Sequence, residues 1–460
     1  MIDDTIAAIG TAPGEAGIGI VRMSGPDAVS ILDKLFVPTR GNSILEYGGR
    51  RLTHGHIVDP DTKNRVDEVL VTYMKAPYTY TAEDVTEIDC HGGIVPVRKI
   101  LELVLRHGAR IAEPGEFTKR AFLNGRIDLA QAEAVMDLIR AKTDVGFDVA
   151  LGQLEGSLSK EVKRIRDKLL EMLAHITVNI DFPDEDIEEI TYRTLKEQAE
   201  EIIGDIEGLL KTAHTGKIIR EGLSTVIIGK PNVGKSSLMN ALLRESRAIV
   251  TDIPGTTRDV IEEYVNIQGI PLRIIDTAGI RETEDFIEKI GVERSKEFFN
   301  RADLIIFVLN AAEPLSSEDE QIMKLVEHRD AIVLINKIDL PAKLEESKIQ
   351  ELLPGKRIIP ISVLEGKGLQ ELEEAIVKMV YGGEVKHQDH SFVTNARHKN
   401  ALERSKKSME DAVGAIGQGM PLDFIEVDVK NTWEYLGEIT GDTVGEDLID
   451  KIFANFCLGK

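Results

Sequence analysis

The stretch GKPNVGKSS, residues 229–237, constrains this chain more than any other. Gly229, Gly234, Lys235 and Ser236 fit the spacing GxxxxGK[ST]. Its surroundings, STVIIGKPNVGKSSLMNALL over 224–243, read as a buried strand, a glycine-rich turn and a helix. Phosphate binding requires these residue types. Glycines let backbone N–H groups close around phosphate oxygens, and the helix N-terminus adds the positive end of its dipole. Lys235 can reach the β- and γ-phosphates, and the Ser236 hydroxyl can ligate Mg²⁺. A chance glycine turn would lack the strand before it and the helix after it.

Three more segments follow in order. GTTRD, 255–259, lies in a polar loop and offers Thr257 as a second hydroxyl for Mg²⁺. LRIIDTAG, 272–279, reads as a strand leading to Asp276, which would hold the metal through water, with the Gly279 N–H beside the γ-phosphate. AIVLINKID, 331–339, reads as a strand followed by Asn336, Lys337 and Asp339. The Asp339 carboxylate can accept from N1–H and from the exocyclic amine of guanine, a donor pair that adenine lacks. A last strand, RIIPIS over 357–362, brings the Ser362 loop to the guanine O6. Together these predict a GTP-hydrolysing domain at 217–381, a doubly wound α/β sheet with nucleotide at the C-terminal ends of its strands. Ras-like domains carry a water-orienting Gln after the DxxG glycine, whereas this chain has Ile280. Asn232 and the carbonyls of TDIPGTT, 251–257, offer an all-oxygen nest for a monovalent cation, because carbonyl oxygens can replace the hydration shell of K⁺.

Composition narrows the partners. The 56 basic and 79 acidic residues leave a net charge of -23, which argues against general nucleic-acid binding through an overall basic face but does not exclude a local one. Lys160, Lys163, Arg164, Arg166 and Lys168 form one basic stretch, and Arg397, Lys399, Arg404, Lys406 and Lys407 another. Solvated helix faces and polyanion contacts explain them equally well. The two cysteines, Cys90 and Cys457, suit neither a disulfide framework nor a zinc site. With no leader-like segment and no apolar run of membrane-spanning length, the expectation is a cytoplasmic protein.

The whole chain resembles the MnmE (TrmE) family of tRNA-modification GTPases. The segments that carry the resemblance are DTIAAIGTAPGEAGIGIVRMSG (4–25), YTAEDVTEIDCHGG (80–93), EPGEFTKRAFLNGRIDLAQAEAVMDLI (113–139), IDFPDED (180–186), the GTPase motifs and the terminal CLGK. The resemblance implies a multidomain α/β and α architecture. A tetrahydrofolate-binding-like α/β domain (1–118) mediates a homodimer. A discontinuous helical domain (119–216 and 382–460) holds the inserted P-loop GTPase domain (217–381). Independently, 188–213 and 395–414 read as long helices.

The implied activity is K⁺-dependent GTP hydrolysis coupled to tRNA chemistry. With the flavoprotein MnmG, such a protein adds an aminomethyl or carboxymethylaminomethyl group at C5 of the wobble uridine of certain tRNAs. The one-carbon unit comes from a tetrahydrofolate derivative, and the nitrogen from ammonium or glycine. The resemblance carries K⁺ ligation onto Asn232, Thr251, Ile253 and Thr256, and support of the attacking water onto Glu288, which fills the gap left by Ile280. It assigns nucleotide contacts to Asn232, Val233, Gly234, Lys235, Ser236 and Ser237, to Thr251, Asp252, Ile253, Pro254, Gly255, Thr256 and Thr257, to Asp276, Thr277, Ala278 and Gly279, and to Asn336, Lys337, Asp339 and Ser362. Folate contacts fall on Arg22, Glu87, Arg126 and Lys460. Arg126 stands where the family pattern often has Lys, which keeps the charge and changes the geometry.

The last residues, FCLGK (456–460), raise a separate question about Cys457. Leu448, Ile452 and Phe456 form one i,i+4 row and Ile449, Phe453 and Cys457 its neighbour, so Cys457 is expected on the apolar stripe of a final helix stopped by Gly459. The resemblance makes Cys457 necessary for modification and dispensable for GTP hydrolysis. One role open to its thiolate is attack on uracil C6. Two other readings compete. One is an RNA-binding or ribosome-assembly GTPase without covalent chemistry; the other is a folate-dependent one-carbon enzyme with a regulatory GTPase insert.

Overall fold

Alternating burial organises the first strands. In the computed structural model, Val21 and Met23 of the strand Ala16–Ser24 are buried while Ile20 and Arg22 are not. Residues 4–41, 43–47, 49–181, 188–245, 263–275, 299–382 and 392–460 are described. Thr251 to Thr257, Asp276 to Gly279 and Glu288 therefore lie outside the described residues, as does most of IDFPDED. The chain forms two compact units, one of Met1–Met136 with Glu434–Lys460, the other of Asp137–Trp433.

The first unit is built on a seven-stranded sheet. Its strands are β1 (Ile6–Ile9), β2 (Ala16–Ser24), β3 (Phe36–Pro38), β4 (Thr53–Val58), β5 (Arg65–Met74), β6 (Val85–Gly92) and β7 (Arg110–Ile111). They run in the order β3-β4-β5-β6-β2-β1-β7. Every pairing is antiparallel except β1 with β7. Because side chains alternate across a strand, Val21, Met23, Val69, Val71, Ile88 and Cys90 share one face. That face packs with Ile31, Leu32 and Leu35 of helix Ala28–Leu35 and with Val97, Ile100 and Val104 of helix Ile94–Arg106. The other face carries Arg22, Glu87 and Asp89, all half-buried. The final helix, Glu446–Phe453, and the residues just past it join Ala121, Leu129, Ala132 and Met136 in a second core, through Ile449 and Phe453 on the helix and Phe456 beyond it.

The second unit contains a six-stranded sheet: β8 (Leu223–Ile228), β9 (Glu263–Ile267), β10 (Ile270–Ile274), β11 (Leu304–Asn310), β12 (Ala331–Asn336) and β13 (Arg357–Pro360), ordered β13-β12-β11-β8-β10-β9. Only β9 runs antiparallel to its neighbour. Every residue of β8 and β11 is buried, as expected for parallel strands covered on both faces. The chain runs from β8 to β9 and β10 on one side of it and then on to β11 on the other, which makes the C-terminal end of β8 a topological switch point. The loop that follows β8 there is GKPNVGKSS.

The same unit holds the long helices. Ser157–Asp181 buries Leu158, Val162, Ile165, Leu169, Met172 and Ile176, an alternation of four and three that draws one apolar stripe. Glu188–Lys211 and Ala396–Gly417 match the helices expected near 188–213 and 395–414 and pack on each other. Asn395 caps the latter, its side chain accepting from the Arg397 N–H at 2.9 Å. Much of the basic charge is spent within the fold. Arg164 and Lys168 both reach Asp205, at 3.0 and 2.8 Å, Lys406 reaches Glu207 at 2.8 Å and Lys407 reaches Asp411 at 2.8 Å. Burial raises the Asp205 carboxyl, but the hydrogen bonds from Arg164 and Lys168 outweigh it and hold the group below the usual range. No described helix is long and apolar enough to cross a membrane.

Candidate functional site

The phosphate loop is shaped by positive backbone angles. Gly229 (φ 142°) and Gly234 (φ 105°) adopt conformations that suit glycine, and Asn232 (φ 62°) sits in the left-handed region that Asn tolerates. A Cβ on Gly229 would meet the Val308 carbonyl, and one on Gly234 would overlap Asn336 Nδ2. The glycines thus answer the close approach of neighbouring strand ends as well as phosphate access. Helix Lys235–Glu245 starts directly behind the loop, with the Leu238 N–H donating to the Gly234 carbonyl at 2.9 Å. Ser236 and Ser237 are exposed in its first turn. Lys235 Nζ lies over the loop, donating to the Gly229 and Lys230 carbonyls at 2.6 Å each.

The end of β12 grips this loop. Asn336 is 3% exposed, too buried to leave its amide unpaired. Its Nδ2 donates to the Val233 carbonyl at 2.8 Å, and its Oδ1 accepts the N–H groups of Lys337 (2.8 Å) and Val363 (3.3 Å). Lys337 (φ 66°) donates through Nζ to the Asn232 carbonyl at 2.7 Å. Ser362 Oγ donates to Asp339 Oδ1 at 2.6 Å while accepting the Glu365 N–H at 3.3 Å. One set of contacts therefore holds Asn232, Val233, Asn336, Lys337, Asp339 and Ser362 in register. A carboxylate oriented by a hydroxyl beside a glycine-lined anion loop is equipped for a guanine base and its phosphates.

A second group of residues lies on the open face of the first sheet. Arg22 and Glu87 are directly opposed on β2 and β6, and their side chains pair at 2.7 Å. The Arg22 guanidinium lies 5.9 Å from the centre of the Phe117 ring. Tyr80 packs with the Phe117 cluster and hydrogen-bonds Thr118 through its hydroxyl at 2.9 Å. Arg126 is exposed, stacks over Tyr80 at 4.9 Å and donates to the Tyr80 carbonyl at 3.0 Å. A chain of contacts thus joins Arg22, Glu87 and Arg126.

The tail departs from expectation. The final helix ends at Phe453, so Cys457 is exposed beyond it and not on its apolar stripe. The packing at that end goes to Phe456, whose ring stacks 5.0 Å from Phe453 and whose Cβ leaves room only for a glycine at 115. The Gly115 N–H donates to the Cys457 carbonyl at 3.2 Å. Gly459 (φ 85°) does not terminate the helix. It seats the tail against Ile9 and Gly10, at the end of β1 and one strand from Arg22, and leaves Lys460 half-buried. Cys90 is the contrasting thiol: buried, donating to the Gly19 carbonyl at 3.2 Å and pushed up to about 11 by burial.

Two features have no counterpart in the sequence reading. Asp89 shares the open face with Glu87, and its Oδ1 is buried without a hydrogen-bond partner among the described residues; burial, then the Glu87 charge, raises its carboxyl above the usual range. Arg120 is fully buried, pairing with Asp4 (2.7 Å), Glu116 (3.0 Å) and Glu83 (3.2 Å) behind the Gly115 turn that receives the tail. A helical lysine or arginine normally reads as surface, and only the convergence of Asp4 and Glu83, distant in sequence, with Glu116 one turn away marks Arg120 as interior.

Comparisons with known proteins cover the full chain. The family model for the GTP-binding protein TrmE N-terminus matches residues 5–126, and that for the MnmE helical domain matches 129–457. The protein named tRNA modification GTPase MnmE is 65% identical in Alkaliphilus oremlandii and 64% in Alkaliphilus metalliredigens, each over 100% of both chains. The protein of that name in Clostridioides difficile is 60% identical, again over 100% of both. Among solved structures, the G domain of the T. maritima FeoB iron transporter matches 34% of this chain and 96% of its own at 27% identity, with a TM-score of 0.25. The family models and the strand order bear out the expected fold class, an N-terminal α/β domain, a helical domain and a P-loop GTPase domain. Matched from end to end by relatives of one kind, the chain belongs to the MnmE family of tRNA modification GTPases.

Proposed function

We propose that this tRNA modification GTPase works with the flavoprotein MnmG at C5 of the wobble uridine, drawing a one-carbon unit from a tetrahydrofolate derivative. The carrying observation is the seating of the CLGK tail against β1, one strand from the Arg22–Glu87 pair. Arg22 and Arg126 supply cations for the carboxylates of a folate tail, the half-buried Tyr80 supplies aromatic surface, and the carboxyls of Glu87 and Asp89 accept from a pterin's donor edge. That donor set fits a folate, whose bound form would contribute the transferable carbon. Cys457 stands exposed at the same end, as a group that must meet a tRNA base would. We place residues 1–118 as the folate and dimerisation domain, 217–381 as the GTPase domain, and 119–216 with 382–460 as the helical domain.

The decisive experiment measures wobble-uridine modification in a strain lacking this protein, complemented with wild type or with Cys457→Ser. Modification is expected to vanish in the deletion, return with wild type and stay absent with Cys457→Ser, while GTP turnover of the purified variant is unchanged. Normal modification in the deletion strain would sink the reading.

In the nucleotide site, Ser236 and Thr257 would ligate Mg²⁺, and the Asn232 side chain with the Thr251, Ile253 and Thr256 carbonyls would hold K⁺. Asn232 fits this role: it is exposed, and its own carbonyl is already taken by Lys337, which fixes the residue's orientation. Glu288 would support the attacking water. GTP hydrolysis is expected to run several-fold faster in K⁺ than in Na⁺, and Asn232→Ala to abolish the difference. Equal wild-type rates in the two salts would remove Asn232 from the mechanism.

A further inference from the structure

Two lysines belong to the phosphate loop, and their ammonium groups have different partners. Lys235 turns onto the Gly229 and Lys230 carbonyls. Lys230 sends its own ammonium to Asp319 Oδ2 at 2.8 Å, with Glu313 Oε2 at 3.7 Å. The Lys230 side chain is 14% exposed and that of Asp319 only 2%. Asp319 is also half of a capping box. Its Oδ2 accepts from the Ser316 N–H (3.0 Å) and hydroxyl (2.8 Å), and its N–H donates to Ser316 Oγ at 3.3 Å. Among the described residues, Asp319 Oδ1 is buried with no hydrogen-bond partner. A carboxylate this buried is costly without its cation, so Lys230 is held in place. The helix behind it, Ser317–Val326, is anchored by Ile322, Met323 and Val326 in the core beneath β11.

We propose that Lys230 is a positioning residue for GTP binding and hydrolysis. Its ion pair with Asp319 ties the first turn of the phosphate loop to the cap of helix Ser317–Val326, and this sets the two carbonyls on which Lys235 rests. Asn336 and Lys337 grip the far end of the loop, at Val233 and Asn232, so Lys230 supplies the near-end anchor. The Lys230 charge is directed at Asp319 and acts on the nucleotide only through the loop.

The test is a double-mutant cycle in the full-length protein: Lys230→Met, Asp319→Asn and the pair, with Lys230→Arg as the conservative variant. Fluorescent GDP and GTP analogues report Kd, steady-state turnover reports kcat and KM, and melting temperature reports fold. Lys230→Met is expected to raise Kd for GDP and GTP alike on the order of tenfold. Lys230→Arg should recover most of the affinity. Asp319→Asn should repeat the loss, and the pair should bind no worse than the weaker single variant, because the two groups act as a unit. Additive losses, an unchanged Kd in Lys230→Met, or weakening confined to GTP would each overturn the proposal, the last by making Lys230 a γ-phosphate contact. If Lys230→Met does not fold, Lys230→Gln enters the same cycle under the same criteria.

Discussion

Asp339→Asn is expected to turn the nucleotide preference from GTP toward xanthosine triphosphate. A carboxylate at 339 can accept from both N1–H and the 2-amino group of guanine. Replacing it by an amide puts an N–H₂ donor against a donor, and the lost pairing costs about 1–3 kcal/mol, roughly a fivefold to hundred-and-fiftyfold fall in GTP affinity. Xanthine carries an oxygen at position 2, which the amide can satisfy. The surroundings decide which way the amide faces. Ser362 Oγ accepts the Glu365 N–H, so its own proton goes to Asp339 Oδ1 at 2.6 Å. In the variant that proton holds the amide oxygen toward Ser362 and leaves Nδ2 facing the base. Competition titrations of GTP against xanthosine triphosphate on wild type and variant measure the shift. An unchanged preference for GTP would contradict the assignment of Asp339 to the base.

How much of this was legible beforehand depends on how local the cause is. The strands at 224–228, 331–336 and 357–360 and the helix behind GKPNVGKSS follow from short-range pattern and glycine spacing, and the structure forms them there. The helices at Glu188–Lys211 and Ala396–Gly417 follow from their 3.6-residue periodicity. The tail shows where pattern fails. Ile449, Phe453 and Cys457 keep helical spacing, yet the helix ends at Phe453, because the chain beyond it is held by Gly115, Ile9 and Gly10, more than three hundred residues away in sequence. Tertiary seating overrode a local period that only Phe456 went on to use. Charge behaved the same way: Lys168 and Lys406 read as surface cations, and their partners Glu201, Asp205 and Glu207 lie on the neighbouring helix, where no motif points to them. The Arg120 cluster and the Lys230–Asp319 pair are long-range in the same sense, so spacing rules could not have found them.

Gly459→Ala is expected to abolish tRNA modification and leave GTP hydrolysis intact. Gly459 sits at φ 85°, where a Cβ costs about 1–2 kcal/mol before any contact is counted. The contact is worse: the added methyl would overlap the Ile9 carbonyl oxygen, an atom of the sheet backbone that cannot rotate aside, and would stand 3.4 Å from the Gly10 Cα. The Ile9 carbonyl is locked into the sheet and the tail is not, so the tail leaves β1 and the sheet does not deform. The core is spared, because Ile449, Phe453 and Phe456 lie upstream and keep their packing with Ala121 and Met136. Fold stability should therefore change little, while Lys460 and Cys457 lose their fixed place at the end of β1. Gly414→Ala serves as the matched control, since that glycine lies in a helix with open space around it. Mass spectrometry of wobble nucleosides from complemented deletion strains reads the outcome, with turnover of GTP measured on the same purified variants. Normal modification with Gly459→Ala would show that the tail acts without its seat on β1; loss of GTP hydrolysis along with modification would show that the tail serves the nucleotide site as well.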